Sequence, residues 1–377
     1  MQTRRETLKI LAAGVAAPAA LNGVRARAEP AATLKQAFKG DFLVGAALNA
    51  AQFAGQSRSN PLIEAQFNSV SPENVLKWEN VHPLPDQYDF TEADQYVAYG
   101  EKHGMFVVGH VLVWHNQTPP SVFRDKDGNL VDRDTLLARM RDHIMTVVGR
   151  YKGRINSWDV INEPIAEDGT MRPSLWHKII GDDYIAKAFE FAHEADPAAL
   201  LLYNDYSIEN PAKRAGADAL IRKLKAQDAP ITSVGLQGHY SLDFPGLDAL
   251  GDTIATFGDM GLKVPMTELD IDVLPPATRE QTAEVTLNVQ QDPTLNPYAE
   301  GLPAAMQQRL AERYAELFRI FVKHRGVVDR VSFWGVSDGD NWKNNWPVKG
   351  RTSYPLLFDR AYQPKPAFYA VIKEASA

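Results

Sequence analysis

The chain has 377 residues, 45% hydrophobic and 23% charged, a globular composition with room for a large core. Forty basic against 47 acidic residues give a net charge of −7 without long runs of one sign, which argues against nucleic acid and for a neutral or weakly charged partner. There is no cysteine, so cysteine nucleophiles, thiolate metal sites and disulfides are excluded.

The chain opens "MQTRRETLKILAAGVAAPAALNGVRARAEP", with Arg4 and Arg5 before an Ala-rich stretch and a small-residue site at Ala26-Arg27-Ala28. This pattern predicts a twin-arginine export signal over residues 1–28, cleaved after Ala28, and a mature protein in the periplasm or outside the cell. The apolar stretch from Ile10 to Leu21 is too short and weak to span a bilayer. Residues 1–28 hold five basic residues and one acidic, so their removal takes the net charge from −7 to −11.

From residue 29 onward, short runs rich in Val, Ile and Leu recur and are read as strands. In order they are "DFLVGAAL" from 41, "SVSPENVLKW" from 69, "MFVVGHVLVW" from 105, "INSWDVINE" from 155, "ALLLYND" from 199, "SVGLQGHY" from 233, "KVPMTELD" from 263 and "RVSFWGVSD" from 330. Amphipathic stretches such as "TEADQYVAYGEKHG", "TLLARMRDHIMTVVGRY" and "AAMQQRLAERYAELFRIFVKH" lie between or after them. Strands without strict polar alternation, each followed by a helix, imply a parallel sheet covered by helices, and eight such units close into a (β/α)₈ barrel of the TIM type. No glycine-rich dinucleotide fingerprint follows the first strand, which weighs against an open doubly wound sheet. Residues 29–377 are read as one catalytic domain. Its longest candidate loop, 271–303, holds five of the 24 prolines.

Barrels of this kind carry their functional groups at the C-terminal ends of the strands. Those ends hold Lys77 and Trp78, His110 and Trp114, Asn162 and Glu163, Asn204 and Asp205, Gln237 and His239, Glu268 and Asp270, and Trp334 and Asp338. Such a polar and aromatic set at the ends of apolar runs marks a site. Pro164 biases the residue before it toward extended geometry, so Glu163 is expected as the last residue of its strand. Strand parity puts His110 with Trp114, Gln237 with His239, and Glu268 with Asp270 on shared faces. His115 falls off the His110 face, so that pair is a poor metal site; neither metal nor cofactor is expected.

Glu163 and Glu268, at the fourth and seventh strands, are expected to face each other across the barrel mouth. Two carboxylates flanking an aromatic-lined cleft suit glycosidic hydrolysis, one protonating the leaving oxygen and the other attacking the anomeric carbon. His239 can hydrogen-bond Glu268 and hold it as carboxylate, with Asp270 orienting the imidazole. The charge of Glu268 is expected to raise the pKa of Glu163. Trp114, Trp334 and Trp342 offer flat faces to sugar rings. Trp78 and Trp158 fit core or ligand equally well, His82 and His143 are read as loop and helix-surface residues, and Asp159 as a satisfied buried carboxylate.

The stretches "ENVLKWENVHP", "HVLVWHNQTP", "WDVINEP", "LQGHY", "GLKVPMTELDI" and "FWGVSDGDNW" together resemble the motifs of family 10 glycoside hydrolases, the endo-1,4-β-xylanases, in order and in spacing. The resemblance runs from about residue 38 to the C-terminus. It implies a retaining mechanism with Glu163 as acid/base, Glu268 as nucleophile and Asn162 on the 2-hydroxyl at the cleavage subsite. It further implies that Glu73, Asn74, Lys77, His110 and Trp114 hold the non-reducing side of a xylan chain. Gln237, His239, Trp334 and Trp342 would surround the cleavage subsite, and Tyr206 would line the leaving-group side. A barrel hydrolase of β-glucan or mannan, or a non-catalytic carbohydrate-binding barrel, are the alternatives. No protein partner is implied, and a monomer is expected. The 271–303 segment departs from the family pattern and is expected to reshape the leaving-group side.

Overall fold

The computed structural model describes residues 33–278, 282 and 284–375; the expected leader over residues 1–28 and its expected cleavage site lie outside them. Among the described residues nine strands are formed: β1 (Leu43–Leu48), β2 (Ser69–Pro72), β3 (Phe106–Val113), β4 (Ser157–Asn162), β5 (Leu200–Asp205), β6 (Ser233–Leu236), β7 (His239–Ser241), β8 (Met266–Asp272) and β9 (Arg330–Phe333). All their pairings are parallel, β1 joins both β2 and β9, and β6 joins both β5 and β8, so the sheet closes on itself. β6 and β7 are two pieces of one barrel strand, broken at Gly238, whose φ of 80° lies in the left-handed region. The barrel therefore has eight staves with helices between them, a (β/α)₈ fold.

Why these segments fold this way is visible in their burial. β4 is buried at all six positions, as a stave must be when side chains face the barrel interior on one side and the helices on the other. A Cβ on Gly109 of β3 would come within 2.1 Å of the Trp158 ring, so glycine here admits the indole against the neighbouring backbone. The helix Arg133–Arg150 starts at Asp132, whose carboxylate accepts from the Thr135 N–H at 2.8 Å. It buries Leu136, Met140, His143, Ile144, Val147 and Val148, one face at helical spacing.

Two expectations are corrected and one open alternative is resolved. The second strand stops at Pro72, which lacks a donor for the ladder, and a helix starts at Trp78, so Lys77 comes from a loop and not from a strand end. Trp78 and Trp158 are core residues, 3% and 0% exposed. His143 is buried rather than on the helix surface, and His82, in the loop after the helix Trp78–Val81 as expected, is buried with it, because Trp78, His143, His82 and Tyr88 stack with nearly parallel rings.

Candidate active site

At the C-terminal mouth of the barrel lies an open cleft of about 460 Å³. Its lining includes Lys77, His110, Trp114, Asn162, Glu163, Tyr206, Gln237, His239, Glu268, Trp334 and Trp342. Glu73 and Asn74 are not part of that lining. They precede Lys77 on the rim, where the Lys77 ammonium donates to Asn74 Oδ1 at 3.0 Å and to Gln117 Oε1 at 2.7 Å. Asp270 lies behind the wall, fully buried. His110 and Trp114 both reach the cleft, although β3 shifts register between His110 and Val113, so simple alternation does not account for their shared side.

Glu163 is not the extended strand end that Pro164 suggested. β4 ends at Asn162, and Glu163 has φ of 57°. A non-glycine residue in that region costs on the order of 1–3 kcal/mol and persists only where its surroundings over-determine it. Here its N–H donates to the Asn204 carbonyl at 2.9 Å, and its own carbonyl accepts from Arg172 Nε at 2.8 Å. The carboxylate accepts from Trp114 Nε1 at 2.8 Å and from Gln237 Nε2 at 3.0 Å.

The two glutamates are linked through three amides. Asn162 Oδ1 accepts from Gln237 Nε2 at 3.3 Å and from Asn204 Nδ2 at 2.9 Å, and Asn204 Nδ2 also reaches Glu268 Oε1 at 2.8 Å. Thr267 Oγ1 donates to Asn204 Oδ1 at 2.6 Å and fixes which way that amide faces. Because the Asn162 oxygen takes both bonds, its amide nitrogen remains a donor for a ligand. Asn204 stood among the strand-end residues but was not assigned to the site; its bridging needed β5 to be placed between the other two.

On the other side of Glu268, His239 Nε2 lies 3.2 Å from Glu268 Oε2 and His239 Nδ1 lies 3.1 Å from Asp270 Oδ2. Trp342 Nε1 donates to the same Asp270 oxygen at 2.8 Å. His110 Nδ1 meets Asp159 Oδ2 at 2.9 Å, which gives Asp159 a partner on one oxygen, while Oδ1 has none among the described residues.

These neighbours push the two carboxyls in opposite directions. Burial raises the pKa of Glu163 most, and the bonds from Gln237 and Trp114 and the charge of Lys213 only partly offset it. Glu268 contributes the smallest of these influences, so desolvation and not the facing carboxylate is the main cause. Burial is also the largest influence on Glu268, but the bond from His239, the charges of His110 and His239 and the bond from Asn204 together hold its pKa below the ordinary value. His239 itself is desolvated, yet the Asp270 and Glu268 carboxylates raise it to about 9. One carboxyl is thus shifted toward its acid form and the other toward its carboxylate, an arrangement suited to coupled proton donation and nucleophilic attack.

Two further residues carried no sequence signal for a site. Lys213, fully buried, pairs with Asp205 at 2.8 Å and sits 3.3 Å from the Tyr206 ring centroid. Arg172 reaches back to Glu163 from beyond a turn. The described part of the 271–303 segment adds Asp272, Pro276, Ala277, Thr278, Thr282 and Val285 to the lining. Among the described residues, no three His, Asp or Glu side chains converge as metal ligands would, and no helix is long and apolar enough to cross a membrane.

Residues 33–374 match the family model described as glycosyl hydrolase family 10. A relative in Xylanibacter ruminicola named endo-1,4-beta-xylanase A is 44% identical over 351 residues, spanning 93% of this chain and 95% of that one. A beta-1,4-xylanase of Dictyoglomus thermophilum is 40% identical over 343 residues, 90% of each chain. Among solved structures, an endoxylanase retrieved from a sugarcane soil metagenome superposes with a TM-score of 0.87 at 44% identity, covering 90% of this chain and 99% of its own. Xylanase XynB of Paenibacillus barcinonensis, in complex with a conduramine derivative, gives 0.81 at 37% identity over 90% of this chain and 98% of its own.

Proposed function

The chain belongs to glycosyl hydrolase family 10, and from that premise we propose that it is a retaining endo-1,4-β-xylanase in which Glu163 is the acid/base and Glu268 the nucleophile. The observation that carries the assignment is the opposed environment of the two glutamates on one cleft: Glu163 is desolvated, and Glu268 is held as carboxylate by His239. Ionised Glu268 attacks the anomeric carbon of the xylose at the cleavage point while Glu163 gives its proton to the departing glycosidic oxygen. Glu163, now a carboxylate, takes a proton from the water that hydrolyses the glycosyl-enzyme. The spare amide donor of Asn162 binds the 2-hydroxyl. Lys77, His110 and Trp114 hold the non-reducing side, with Glu73 and Asn74 on its rim, and Tyr206 lines the leaving-group side.

Azide separates the two roles. Glu163→Ala should retain activity on an activated aryl xyloside and, with azide, form the β-glycosyl azide, because a small anion attacks the intermediate without base assistance. Glu268→Ala should lose both substrate classes and give the α-azide. The opposite pairing of anomers would reverse the assignment. Initial rates on xylan and carboxymethyl cellulose test the substrate against a β-glucan reading, and binding of xylan without release of reducing ends would revive a non-catalytic one.

The twin-arginine pattern of residues 1–28 supports export of the protein in folded form, and a monomer is proposed beside it. N-terminal sequencing of the secreted protein should begin at or near Glu29, and Lys at positions 4 and 5 should retain it in the cytoplasm. Continued secretion of that double variant would overturn the route, and a dimer mass by light scattering the oligomeric state.

A further inference from the structure

Arg172 contacts Glu163 through the backbone and not through the carboxylate. The chain leaves Glu163 through Pro164, turns at Gly169 and returns, with Ile165 and Met171 bridged in antiparallel fashion and the Arg172 N–H donating to the Pro164 carbonyl at 2.7 Å. The return arm delivers a guanidinium that is 15% exposed. Its Nε donates to the Glu163 carbonyl at 2.8 Å, and its Nη2 to the Ile165 carbonyl and the Tyr206 hydroxyl, each at 3.1 Å. The turn is braced from outside: a Cβ on Gly169 would approach the Ala212 carbonyl oxygen to 2.3 Å, and one on Gly216 the Gly169 carbonyl oxygen to 2.1 Å, so two glycines let the turn seat on the helix Pro211–Ala226.

We infer that Arg172 is a positioning residue for the acid/base: it clamps the left-handed backbone of Glu163 and ties it to Tyr206 on the cleft wall, fixing where the carboxyl presents its proton. Two facts on either side of Glu163 point the same way. A glutamate before proline in this conformation is disfavoured twice, by its own Cβ and by the proline ring, so it needs an external tether. The planar fork of an arginine holds the Glu163 and Ile165 carbonyls and the Tyr206 hydroxyl in fixed relative directions, a pre-organised geometry that the rotating ammonium of a lysine does not impose. The inference rests on Glu163 being the acid.

The test reads dependence on the leaving group, using kcat/KM for 2,4-dinitrophenyl, 4-nitrophenyl and phenyl β-xylobiosides, with circular dichroism to certify folding. In Arg172→Gln the phenyl substrate, which needs protonation, should fall by about 10- to 100-fold, while the dinitrophenyl substrate changes by less than about threefold. Arg172→Lys retains the charge and stem but not the fork; it should show the same pattern at smaller amplitude, and it serves if the Gln variant does not fold. A crystal structure of Arg172→Lys should show the Glu163 φ relaxed from the left-handed region. An equal loss on all three substrates would overturn the positioning role alone and leave Arg172 a fold residue. Glu163→Ala is the reference: if it too loses activity equally on all three, the acid assignment fails, and the inference with it.

Discussion

Replacing His239 by Asn removes the charge that keeps Glu268 ionised and leaves the other neighbours of Glu268 in place. A hydrogen bond to a charged group contributes about 1.5–3 kcal/mol, and one pKa unit corresponds to about 1.4 kcal/mol. Loss of the 3.2 Å contact should therefore raise the Glu268 pKa by about one to two units, because burial then acts against less opposition. The acid limb of kcat/KM against pH, which reports ionisation of the free enzyme, should move up by that amount. The alkaline limb, which the proposed mechanism assigns to Glu163, should scarcely move, since Glu268 is the smallest of the influences on Glu163. The bell narrows from one side only. Rates for 4-nitrophenyl β-xylobioside measured between about pH 3 and pH 9 decide the matter. An acid limb that stays in place or moves down would refute the claim that His239 sets the ionisation of Glu268.

The same substitution has a signature in stability. The folded pKa of His239, about 9, lies above its ordinary 6.5, so the imidazolium's contribution is fully present below 6.5 and is lost as pH rises through about 9. Thermal unfolding of the native enzyme should weaken across that window. His239→Asn should flatten the loss, and parallel curves for the two proteins would refute the linkage.

Other sites yield independent expectations. Lys365, buried with its ammonium bonded to Asp338 Oδ2 at 2.8 Å and to two backbone carbonyls, should on change to Met destabilise the fold by about 3–5 kcal/mol, read by denaturant unfolding, and Asp338→Leu in the same chain should recover part of it. Gly109→Ala forces a methyl into the Trp158 ring and should cost about 1–3 kcal/mol by the same measurement. His143, whose pKa burial drives well below 6.5, contributes stability that is lost as pH falls below 6.5; His143→Phe should reduce the loss of melting temperature between pH 6.5 and pH 5.

The fold was legible because barrel staves announce themselves: "FVVGHVLV" and "SWDVIN" are short, β-branched runs without strict polar alternation, and Trp114 and Glu163 follow directly after them. Both glutamates and most of the cleft followed from reading those ends. What escaped the sequence has physical reasons residue by residue. The run "SVSPENVLKW" contained its own stop, since Pro72 cannot extend the ladder, and the apolar Val75 and Leu76 beyond it belong to a buried loop. His143 sits at the spacing of Met140, Ile144 and Val147, so its helix face predicted burial; only its polarity argued for the surface, and stacking on Trp78 at 3.6 Å overrides that.

Glu163 shows where sequence rules end. Proline after it predicts extended backbone, and the facing carboxylate predicts a raised pKa, yet its backbone is left-handed and burial is the larger cause of the shift. Both outcomes depend on groups remote in the chain: the Asn204 carbonyl on β5, the Arg172 fork beyond a turn, and the walls that exclude water. The pKa of Glu268 is lowered where that of Glu163 is raised, and His239 and Asn204, on other strands, supply the bonds that lower it. A motif can thus identify two glutamates, but their division into acid and carboxylate depends on which strands the barrel sets beside them. Moving the charge of His239, and not editing either glutamate, is therefore the more searching test of how the site assigns their roles.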